Sequence, residues 1–550
     1  MHKALLFSTA LSVCTAVQAA VADRLDYNNL KRSPDAVWAV SGGVTNALAE
    51  VAPRVWSNAA ARVETPETRE GTQVRVSAPG VALETVLMRW HGGLPESAKL
   101  LGDVWERSYG DLAWRPLGAA RPMPWYFLAS DGRVTHGYGV AVQPNALCCW
   151  TADKGSVTLA LDVRAGGVGV RLGKRTLEAC TVLSRAWVAN ETPFQAASAF
   201  CKQMCPKPRL PKEPVYGFND WYCAYGINTA TNFLADAAFV TSLIPEVKNR
   251  PYLVMDDGWQ VNPPAKAGVS GFGPWDRSNA RFAMDMETFA KRVKALNAKP
   301  GLWYRPLFAW AEVPEAWRLK KARDFMDPTV PEVKRQIAAD MARFRAWGYQ
   351  LVKIDYLTYD MNNRWGFDIG GKVVHDDRAW ADSSRTTAEV MLELYRTMRD
   401  NAGDGVVIIG CNALSHLAAG IFELQRTGDD TSGLDWKRTR KYGVNTLAFR
   451  AAQDRAFYAV DADCVGLANA GAVPWEKNRQ WLDLVARSGT PLFVSWRRQL
   501  AGPEERKALR AAFIRASQSA PTAEPLDWME TPAPKRWRFG SEEVTYDWGE

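Results

Sequence analysis

The sequence contains few of the features that mark metalloproteins, nucleic-acid-binding proteins or membrane proteins. Only five of its 550 residues are histidines, and its nine cysteines include no paired C-x-x-C spacing, so the sequence predicts no metal site. It has no basic run or aromatic-basic motif of the kind that binds nucleic acid. Its N-terminal apolar stretch, residues 4–17, is shorter than the roughly 20 residues of a membrane span. We therefore predict no nucleic-acid partner and no stable membrane insertion.

The composition is that of an ordinary globular protein with many tryptophans. Hydrophobic residues make up 47% of the chain and charged residues 23%, which permits a large core and predicts no long disordered region. The net charge of +8 comes from 68 basic and 60 acidic residues that are interspersed along the chain, which indicates a mildly basic, soluble surface. The 24 tryptophans suit a carbohydrate-binding protein, because aromatic faces supply rigid contact area for a ligand.

The N-terminus has the pattern of an export signal. Lys3 precedes the apolar stretch, and Ala20-Val21-Ala22 supplies small residues for cleavage. We predict a signal peptide over residues 1–22 and a secreted or periplasmic protein. An oxidising compartment permits disulfides, and the pairs Cys148–Cys180 and Cys201–Cys205 are two open choices.

The rest of the chain divides into regions with different hydrophobic patterns. Residues 23–205 contain short, partly alternating segments that predict an N-terminal antiparallel β-sandwich. A proline-rich linker follows at residues 206–214. Residues 215–504 alternate apolar strands with helical stretches, which predicts a (β/α)8 barrel, or TIM barrel, with its active site at the carboxyl ends of the strands. Residues 505–550 predict a short C-terminal β segment. The eight predicted barrel strands cover residues 216–221, 252–256, 301–305, 351–355, 406–411, 423–426, 457–461 and 491–495.

Four of the predicted strands end in ionisable residues. Asp256 and Asp257 follow the second strand, and Lys353 and Asp355 end the fourth. Lys353 and Asp355 share one face, because strand side chains alternate with a period of two. The segments 426–431 and 461–464 add further aspartates after the sixth and seventh strands. A single aspartate after a strand is often only a helix cap or a turn, but four such strand ends at one barrel face favour an active site.

Glycoside hydrolysis is a reaction that needs several carboxyl groups close together, as these strand ends supply. Two carboxyl groups flank the scissile bond, one ionised and the other carrying a proton for the leaving oxygen. Lys353 is placed to keep Asp355 ionised, and the second carboxyl is expected to have a raised pKa. Asp256 and Asp257 can accept hydrogen bonds from sugar hydroxyls, and aromatic walls such as Trp221 and Trp303 can contact a sugar ring.

The ordered set of motifs over about residues 215–500 resembles glycoside hydrolase family 36, with kinship to family 27, the α-galactosidases and α-N-acetylgalactosaminidases. No single motif is specific, but their order is that of the family. The motifs are Asp256-Asp-Gly-Trp-Gln260, Pro300-Gly-Leu-Trp303, Lys353-Ile-Asp-Tyr356, Gly410-Cys-Asn412, Arg426-Thr-Gly-Asp-Asp-Thr431 and Asp461-Ala-Asp-Cys464.

The resemblance implies roles for individual residues. The family nucleophile falls on Asp355, and the acid/base falls on Asp430, four residues after Arg426, with Asp429 as the rival. The enzymes retain configuration through a covalent intermediate, so the two carboxyls are expected to stand about 5–5.5 Å apart. The resemblance implies no metal and no organic cofactor. The substrate-binding positions that it implies are Asp256, Asp257, Trp221, Trp303, Lys353, Cys411 and Arg426.

The sequence leaves several alternatives open. Asn412 stands where the family usually has glycine, near the expected C2 substituent of the sugar, so the substrate is an α-galactoside or an α-N-acetylgalactosaminide. An α-galactosyl transglycosylase, like the raffinose-forming relatives, uses the same intermediate. A third hypothesis, from another functional class, is that the chain is a non-catalytic carbohydrate-binding protein with the same barrel. The aglycone and the oligomeric state are not determined by the sequence.

Overall fold

The computed structural model describes residues 25–119, 121–266, 270–370, 372–467 and 472–549. The predicted signal peptide, residues 1–22, lies outside the described residues. Within the described ranges, no helix is both long enough and apolar enough to cross a membrane. The eight described cysteines are all free thiols, so neither of the two disulfides considered from the sequence is present.

The N-terminal region is an antiparallel sheet of fourteen strands that folds into two layers. Val74 and Val76 in β5 are buried while their neighbours are half-buried, because alternate side chains of a strand point to opposite faces. In sheet order the strands are β8-β7-β10-β11-β14-β5-β4-β3-β2-β1-β6-β13-β12-β9. Their bounds are β1 Ala36–Ser41, β2 Val44–Ala52, β3 Val55–Ser57, β4 Arg62–Glu64, β5 Thr72–Ser77, β6 Leu83–His91, β7 Lys99–Gly102, β8 Arg115–Pro116, β9 Met123–Pro124, β10 Tyr126–Ser130, β11 Thr135–Val140, β12 Leu147–Ala152, β13 Ser156–Asp162 and β14 Leu177–Arg185.

The two layers face each other across an aromatic core. The ring centroids of Phe127 on β10 and Trp150 on β12 lie 6.0 Å apart, although β10 and β12 are far apart in the sheet order. Strand β2 pairs with β1 on one side and with β3 on the other, so it carries the chain from one layer to the next. The predicted N-terminal β-sandwich is confirmed.

The central region is a row of nine parallel strands in the order β21-β20-β19-β18-β17-β16-β15-β23-β22. Their register pairs Trp303 of β17 with Lys353 of β18, which places two predicted site residues side by side. The bounds are β15 Tyr216–Asn219, β16 Tyr252–Met255, β17 Lys299–Tyr304, β18 Leu351–Ile354, β19 Val407–Gly410, β20 Leu424–Arg426, β21 Ala459–Asp461, β22 Cys464–Leu467 and β23 Leu492–Trp496.

The predicted seventh strand, residues 457–461, corresponds to β21, and an unpredicted strand, β22, follows it directly. Strand β21 pairs with β20, whereas β22 pairs with β23 on the other side. Only Ala462 and Asp463 separate the two strands, and Asp463 has a positive φ of 69°, a conformation that an L-residue rarely adopts. Because the two end strands of the row are consecutive in the chain, the row curls round on itself, and the predicted eight-position barrel is confirmed with a kinked seventh position.

Helices connect the strands and cover the barrel. Two of them begin with a capping box, at Thr192 and at Thr386, which satisfies backbone N–H groups at the helix start. The α-helices span Pro193–Met204, Trp221–Ala224, Ala230–Leu243, Met286–Ala295, Pro331–Ala346, Leu357–Asn362, Thr387–Ala402, Ser415–Ala418, Trp436–Thr439, Asn445–Arg450, Trp475–Arg487 and Pro503–Ala516. A π-helix spans Arg440–Val444, and 3-10 turns span Leu117–Ala119, Glu315–Trp317, Gly366–Asp368, Ala451–Gln453 and Arg498–Leu500.

The chain ends in a small antiparallel sheet of three strands, β24 Glu524–Pro525, β25 Arg536–Phe539 and β26 Glu542–Thr545. This sheet confirms the predicted C-terminal β segment as an element of the fold. Helix Pro503–Ala516 precedes the sheet and contacts helix Trp475–Arg487 of the barrel. The exact boundaries between regions, at residues 205, 214 and 504, stay a prediction.

Candidate active site

A cavity of about 70 Å³ opens at the carboxyl ends of the barrel strands. All nine site residues that the sequence predicted line it, together with six others, so the strand ends converge as the barrel geometry requires. The predicted residues are Trp221, Asp256, Asp257, Trp303, Lys353, Asp355, Cys411, Arg426 and Asp430. The others are Arg107, Tyr222, Ser270, Tyr356, Trp365 and Asn412.

Asp355 directly follows β18 and is held by hydrogen-bond donors. Trp303 Nε1 donates to its Oδ2 at 3.0 Å, and the backbone N–H of Tyr356 donates to its Oδ1 at 2.8 Å. With its amide turned to the orientation that satisfies both of its polar atoms, Asn412 donates to the same Oδ1 and accepts from Arg107 Nε at 3.2 Å. An ionised carboxylate only accepts hydrogen bonds, so this set of donors suits an anionic Asp355 in a fixed orientation.

Lys353 pairs directly with Asp256 rather than with Asp355. Its Nζ lies 2.7 Å from Asp256 Oδ2, which also accepts from Asn219 Nδ2 at 2.7 Å. Burial alone favours the neutral amine, but the negative charges of Asp256 and Asp355 outweigh it and raise the pKa of Lys353 well above its usual value. Lys353 therefore forms its ion pair with Asp256, two strands along the barrel, and its positive charge also interacts with Asp355.

Asp257 is buried in a network of donors beside Asp256. Gln260 Nε2 donates to its Oδ1 at 2.7 Å, and Ser270 Oγ and the backbone N–H of Gly271 donate to its Oδ2 at 3.0 and 2.8 Å. Burial outweighs these donors and raises the pKa of Asp257 to about 7. This carboxyl therefore changes its charge in the neutral range.

Asp430 lies between two guanidinium groups. Arg426 Nη2 is 2.9 Å from its Oδ1, and Arg107 Nη1 is 3.6 Å away. Burial raises the pKa of Asp430, but the charges of Arg426, Arg107 and Lys353 outweigh it and lower the pKa to about 2. The expectation of a raised pKa for the second carboxyl is therefore wrong for this arrangement, because the positive charges of Arg426, Arg107 and Lys353 outweigh the effect of burial.

Asp429, the rival of Asp430, lies outside the cavity lining. Its Oδ1 is 3.3 Å from Arg107 Nη2, and its Oδ2 is 3.3 Å from Arg438 Nη2. The structure thus separates the two neighbouring aspartates, with Asp430 facing the cavity and Asp429 supporting Arg107.

Arg426 is fully buried and is oriented by Asp463. Its Nη2 lies 2.9 Å from Asp463 Oδ2, and the same oxygen accepts from Tyr222 Oη at 2.5 Å and from the backbone N–H of Thr431 at 2.7 Å. Arg426 also contacts the Cys411 sulfur at 3.7 Å. Burial keeps that thiol neutral by raising its pKa well above the usual value. The kink between β21 and β22 places Asp463 behind Arg426.

Arg107 enters the site from the N-terminal sandwich, and sequence reasoning missed it. Its segment pairs with the loop after β20, because the N–H of Ser108 donates to Thr427 O at 2.7 Å and the N–H of Asp429 donates to Ser108 O at 3.1 Å. Residue 107 is distant in sequence from the barrel and belongs to no motif, so no sequence signal identifies it. In contrast, Tyr222, Tyr356 and Asn412 adjoin predicted motif residues.

The cavity can hold a polar ligand between anionic and cationic groups. Four carboxyl groups line it, one of them in the Lys353–Asp256 pair, together with three indole rings. Among the described residues, no group of three or more histidine, cysteine, aspartate or glutamate side chains is arranged to bind a metal ion.

Comparison with known proteins gives structural similarity without sequence similarity. No protein-family model matches the chain, and no curated protein aligns with its sequence. An α-galactosidase from Thermus thermophilus, solved with p-nitrophenyl α-D-galactopyranoside, superposes with a TM-score of 0.58 at 17% identity, covering 93% of this chain and 99% of that one.

Two further solved structures are similar. A GH36 α-galactosidase from Geobacillus stearothermophilus, solved with 1-deoxygalactonojirimycin, has a TM-score of 0.56 at 14% identity and covers 88% of this chain and 72% of its own. The α-galactosidase from Lactobacillus brevis has a TM-score of 0.56 at 13% identity, with coverages of 90% and 69%. At these identities the likeness shows a shared fold.

Proposed function

We propose that the chain is a retaining, exo-acting glycoside hydrolase that releases terminal α-linked galactose through a covalent glycosyl-enzyme intermediate. One observation carries the proposal: Asp355 and Asp430, from the ends of the fourth and sixth barrel strands, line the same cavity. Glycoside hydrolysis needs two carboxyls on either side of the scissile bond. The solved structures with this fold that are described as α-galactosidases add support for the sugar.

In this mechanism Asp355 is the nucleophile. One of its oxygens bonds to the anomeric carbon while the bond from that carbon to the leaving oxygen breaks. Trp303 Nε1 and the Tyr356 N–H, at 3.0 and 2.8 Å, hold the carboxylate in one orientation before attack. Water then attacks the anomeric carbon and releases Asp355.

Asp430 is the acid/base in this mechanism. It gives a proton to the leaving oxygen in the first step and takes one from water in the second. The second role suits the ionised form that Arg426 and Arg107 maintain. For the first role Asp430 must gain a proton, and we propose that the leaving group displaces Arg107 from its 3.6 Å contact, which removes one of the charges that lower the pKa.

Asp256 and Asp257 bind the sugar hydroxyls in this proposal. Both are 2% exposed, so a hydroxyl that reaches them meets an acceptor shielded from water, where hydrogen bonds to charged groups are strong. Asn412 fills the space beside Asp355. We propose galactose rather than N-acetylgalactosamine as the preferred sugar, because this amide stands where a C2 substituent is expected.

The test is a paired assay with aryl α-galactoside and aryl α-N-acetylgalactosaminide. We expect hydrolysis of the galactoside, with attack of Asp355 on the β-face, attack of water on the α-face of the intermediate, and the α-anomer as first product by NMR. A tenfold preference between the two sugars corresponds to about 1.4 kcal/mol of transition-state stabilisation and identifies the substrate. Transfer to an added sugar rather than to water at high acceptor concentration would instead indicate a transglycosylase.

The nucleophile is tested by Asp355→Ala. We expect the variant to lose turnover and to regain part of it with azide, which can replace the missing carboxylate. Asp324→Ala is the matched control, because Asp324 is exposed in the loop after β17 and lies outside the cavity. Full activity of Asp355→Ala, or sugar binding with no hydrolysis by the parent chain, would reject the proposal.

We also propose that the chain is exported as a secreted or periplasmic protein. The support is the N-terminal pattern of Lys3, the apolar residues 4–17 and the small residues at 20–22. N-terminal sequencing of the mature protein from its native host tests this, and retention of Met1 would contradict it.

A further inference from the structure

A second, larger cavity lies beside the catalytic one, between the N-terminal sandwich and the loop after β18. Its volume is about 410 Å³, within the range of about 300–1,000 Å³ that is typical of small-molecule sites. One wall comes from residues 100–115 and 121–124, and the other from the loop that contains Gly366 and Phe367. Neither wall carries any residue that the proposed chemistry uses, apart from Arg107.

Arg107 separates the two cavities, because it lines both. On the catalytic side its Nη1 is 3.6 Å from Asp430. On the other side its guanidinium carbon is 5.6 Å from the ring centroid of Tyr109. Trp365 lines the catalytic cavity, whereas its chain neighbours Gly366 and Phe367 line the second. The two cavities are therefore adjacent at Arg107, which contacts Asp430.

This adjacency decides which part of a substrate would reach the second cavity. An acid/base residue protonates the leaving oxygen, so the leaving group lies on the Asp430 side of the sugar. Arg107 and Trp365 stand on that side, with the guanidinium carbon 5.7 Å from the Trp365 ring centroid. A leaving group longer than one sugar unit extends past them, toward the second cavity.

The lining of the second cavity suits sugar rings. Phe367 is 64% exposed, and its ring packs edge-on against Tyr109 with centroids 4.8 Å apart. Glu106 fixes this wall, since it accepts from Tyr109 Oη at 2.7 Å and from the N–H of Gly366 at 2.8 Å. Arg121 adds hydrogen-bond donors at the rim. An open aromatic face with a few polar groups is the usual composition of a site that binds a partly apolar ring.

We infer that the second cavity is a distal leaving-group site, which binds the sugar units beyond the first one attached to the terminal galactose. This inference rests on the proposed function and makes it more specific. The new element is the location of this site, in which the N-terminal sandwich selects for the length of the leaving group.

The first experiment compares kcat/KM for stachyose with kcat/KM for an aryl α-galactoside in the full chain. An aryl galactoside has no second sugar unit in its leaving group to place beyond Arg107. In Phe367→Ala we expect the ratio of kcat/KM for stachyose to kcat/KM for the aryl galactoside to fall roughly tenfold, the effect of losing one aromatic contact. In Arg121→Ala we expect this ratio to fall less. Leu434→Ala is the matched control, because Leu434 is 52% exposed and does not line either cavity.

The second experiment measures binding without turnover, in the Asp355→Ala background. Stachyose should bind more tightly than galactose by calorimetry, and adding Phe367→Ala should weaken stachyose binding roughly tenfold while adding Leu434→Ala leaves it unchanged. If the parent chain hydrolyses no α-galactoside but stachyose binding still depends on Phe367, the proposed function fails and the distal site stands. If aryl galactoside is hydrolysed while both the ratio and stachyose binding are insensitive to Phe367, the distal site is rejected and the function stands.

Discussion

Asp355 and Asp430 face the same cavity from surroundings of opposite kinds. Asp355 receives hydrogen bonds from an indole and a backbone N–H, whereas Asp430 lies between Arg426 and Arg107. Neutral donors orient a carboxylate, and charged neighbours also set its protonation. Neutral donors thus hold Asp355, the proposed nucleophile, whereas the protonation of Asp430, the proposed acid/base, depends on the charges of Arg426 and Arg107.

The distinction between Asp430 and Asp429 gives a prediction at this scale. Asp430→Asn should reduce kcat/KM about 10²–10⁴-fold for an unactivated galactosyl oligosaccharide, because proton transfer to the leaving oxygen is lost. The loss should be far smaller for a nitrophenyl galactoside, whose leaving group needs no proton. Asp429→Asn is the matched control and should show the same small effect on both substrates. Steady-state kinetics on the two substrates measures this difference. An equal loss of kcat/KM on both substrates in Asp430→Asn would contradict the assignment of Asp430 as the acid/base.

Asp257 gives a pH prediction. Burial raises the pKa of Asp257 to about 7, so the carboxyl is ionised above that pH and protonated below it. A protonated carboxyl is a weaker acceptor for a sugar hydroxyl. We therefore expect the inhibition constant of galactose to rise roughly tenfold as the pH falls from 8 to 5. Asp257→Asn should bind weakly at every pH, with that dependence removed. An unchanged pH dependence in the variant would show that another group is responsible.

At the scale of single elements, periodicity predicted most of the site. Alternation placed Lys353 and Asp355 on one face of a strand, and both line the cavity. Eight apolar runs predicted eight barrel positions, which the structure has. The break at Asp463 was not predicted, because a positive φ at an aspartate leaves no mark on the hydrophobic pattern. The break matters, since it places Asp463 against Arg426.

The segment around Arg107 could not be predicted, because it joins the site through contacts between regions. Ser108 forms backbone hydrogen bonds with the loop at residues 427–429, and such pairing has no local sequence signature. The predicted direction of the Asp430 pKa was wrong because the charges of Arg426 and Arg107 together outweigh burial. Motif reasoning found Arg426 but not its effect on this pKa, and it missed Arg107.

This segment yields a prediction of its own. Arg107→Ala removes one positive charge from beside Asp430, so the pKa of Asp430 should rise. The limb of the kcat/KM profile that requires protonated Asp430 should therefore move to higher pH, a shift that misfolding would not produce. Arg107→Lys should restore the positive charge but not the forked contact with Asp429 and Asp430. Because the charge is restored, the limb of its kcat/KM profile that requires protonated Asp430 should lie close to that of the parent chain. A profile that does not move in Arg107→Ala would exclude the electrostatic role.

At the scale of the whole molecule, the sandwich and the barrel form one functional unit. The sandwich contributes Arg107 to the catalytic cavity and most of the wall of the second cavity. Composition and pattern predicted both regions separately, but the way they dock depends on side-chain shape across a large interface. The candidate active site of this chain is therefore formed by the sandwich and the barrel together.

The pH dependence of the unfolding free energy is also a property of the whole molecule. Asp454, which lies outside the candidate active site, allows it to be tested. Asp454 is 4% exposed and accepts from Val460 N–H at 3.0 Å and from Thr522 Oγ1, just ahead of the C-terminal sheet. Burial outweighs these hydrogen bonds and raises the pKa of Asp454 to about 6, above its value of about 4 in the unfolded chain. Between pH 4 and 6 the folded chain thus holds a proton that the unfolded chain has lost.

A raised carboxyl pKa means that stability falls as the pH rises through this window. The contribution of Asp454 to the unfolding free energy falls by about 3 kcal/mol from below pH 4 to above pH 6, since each pKa unit corresponds to about 1.4 kcal/mol. Asp454→Asn keeps an acceptor for the Val460 N–H but cannot ionise, so its unfolding free energy relative to the parent chain should increase with pH and level off above about 6. Calorimetric unfolding from pH 4.5 to 7.5 measures this, with the exposed Asp276→Asn as control. A difference between variant and parent that is constant with pH would mean that Asp454 stays ionised in the folded chain, and that its buried contacts, rather than its proton, join the barrel to the C-terminal region.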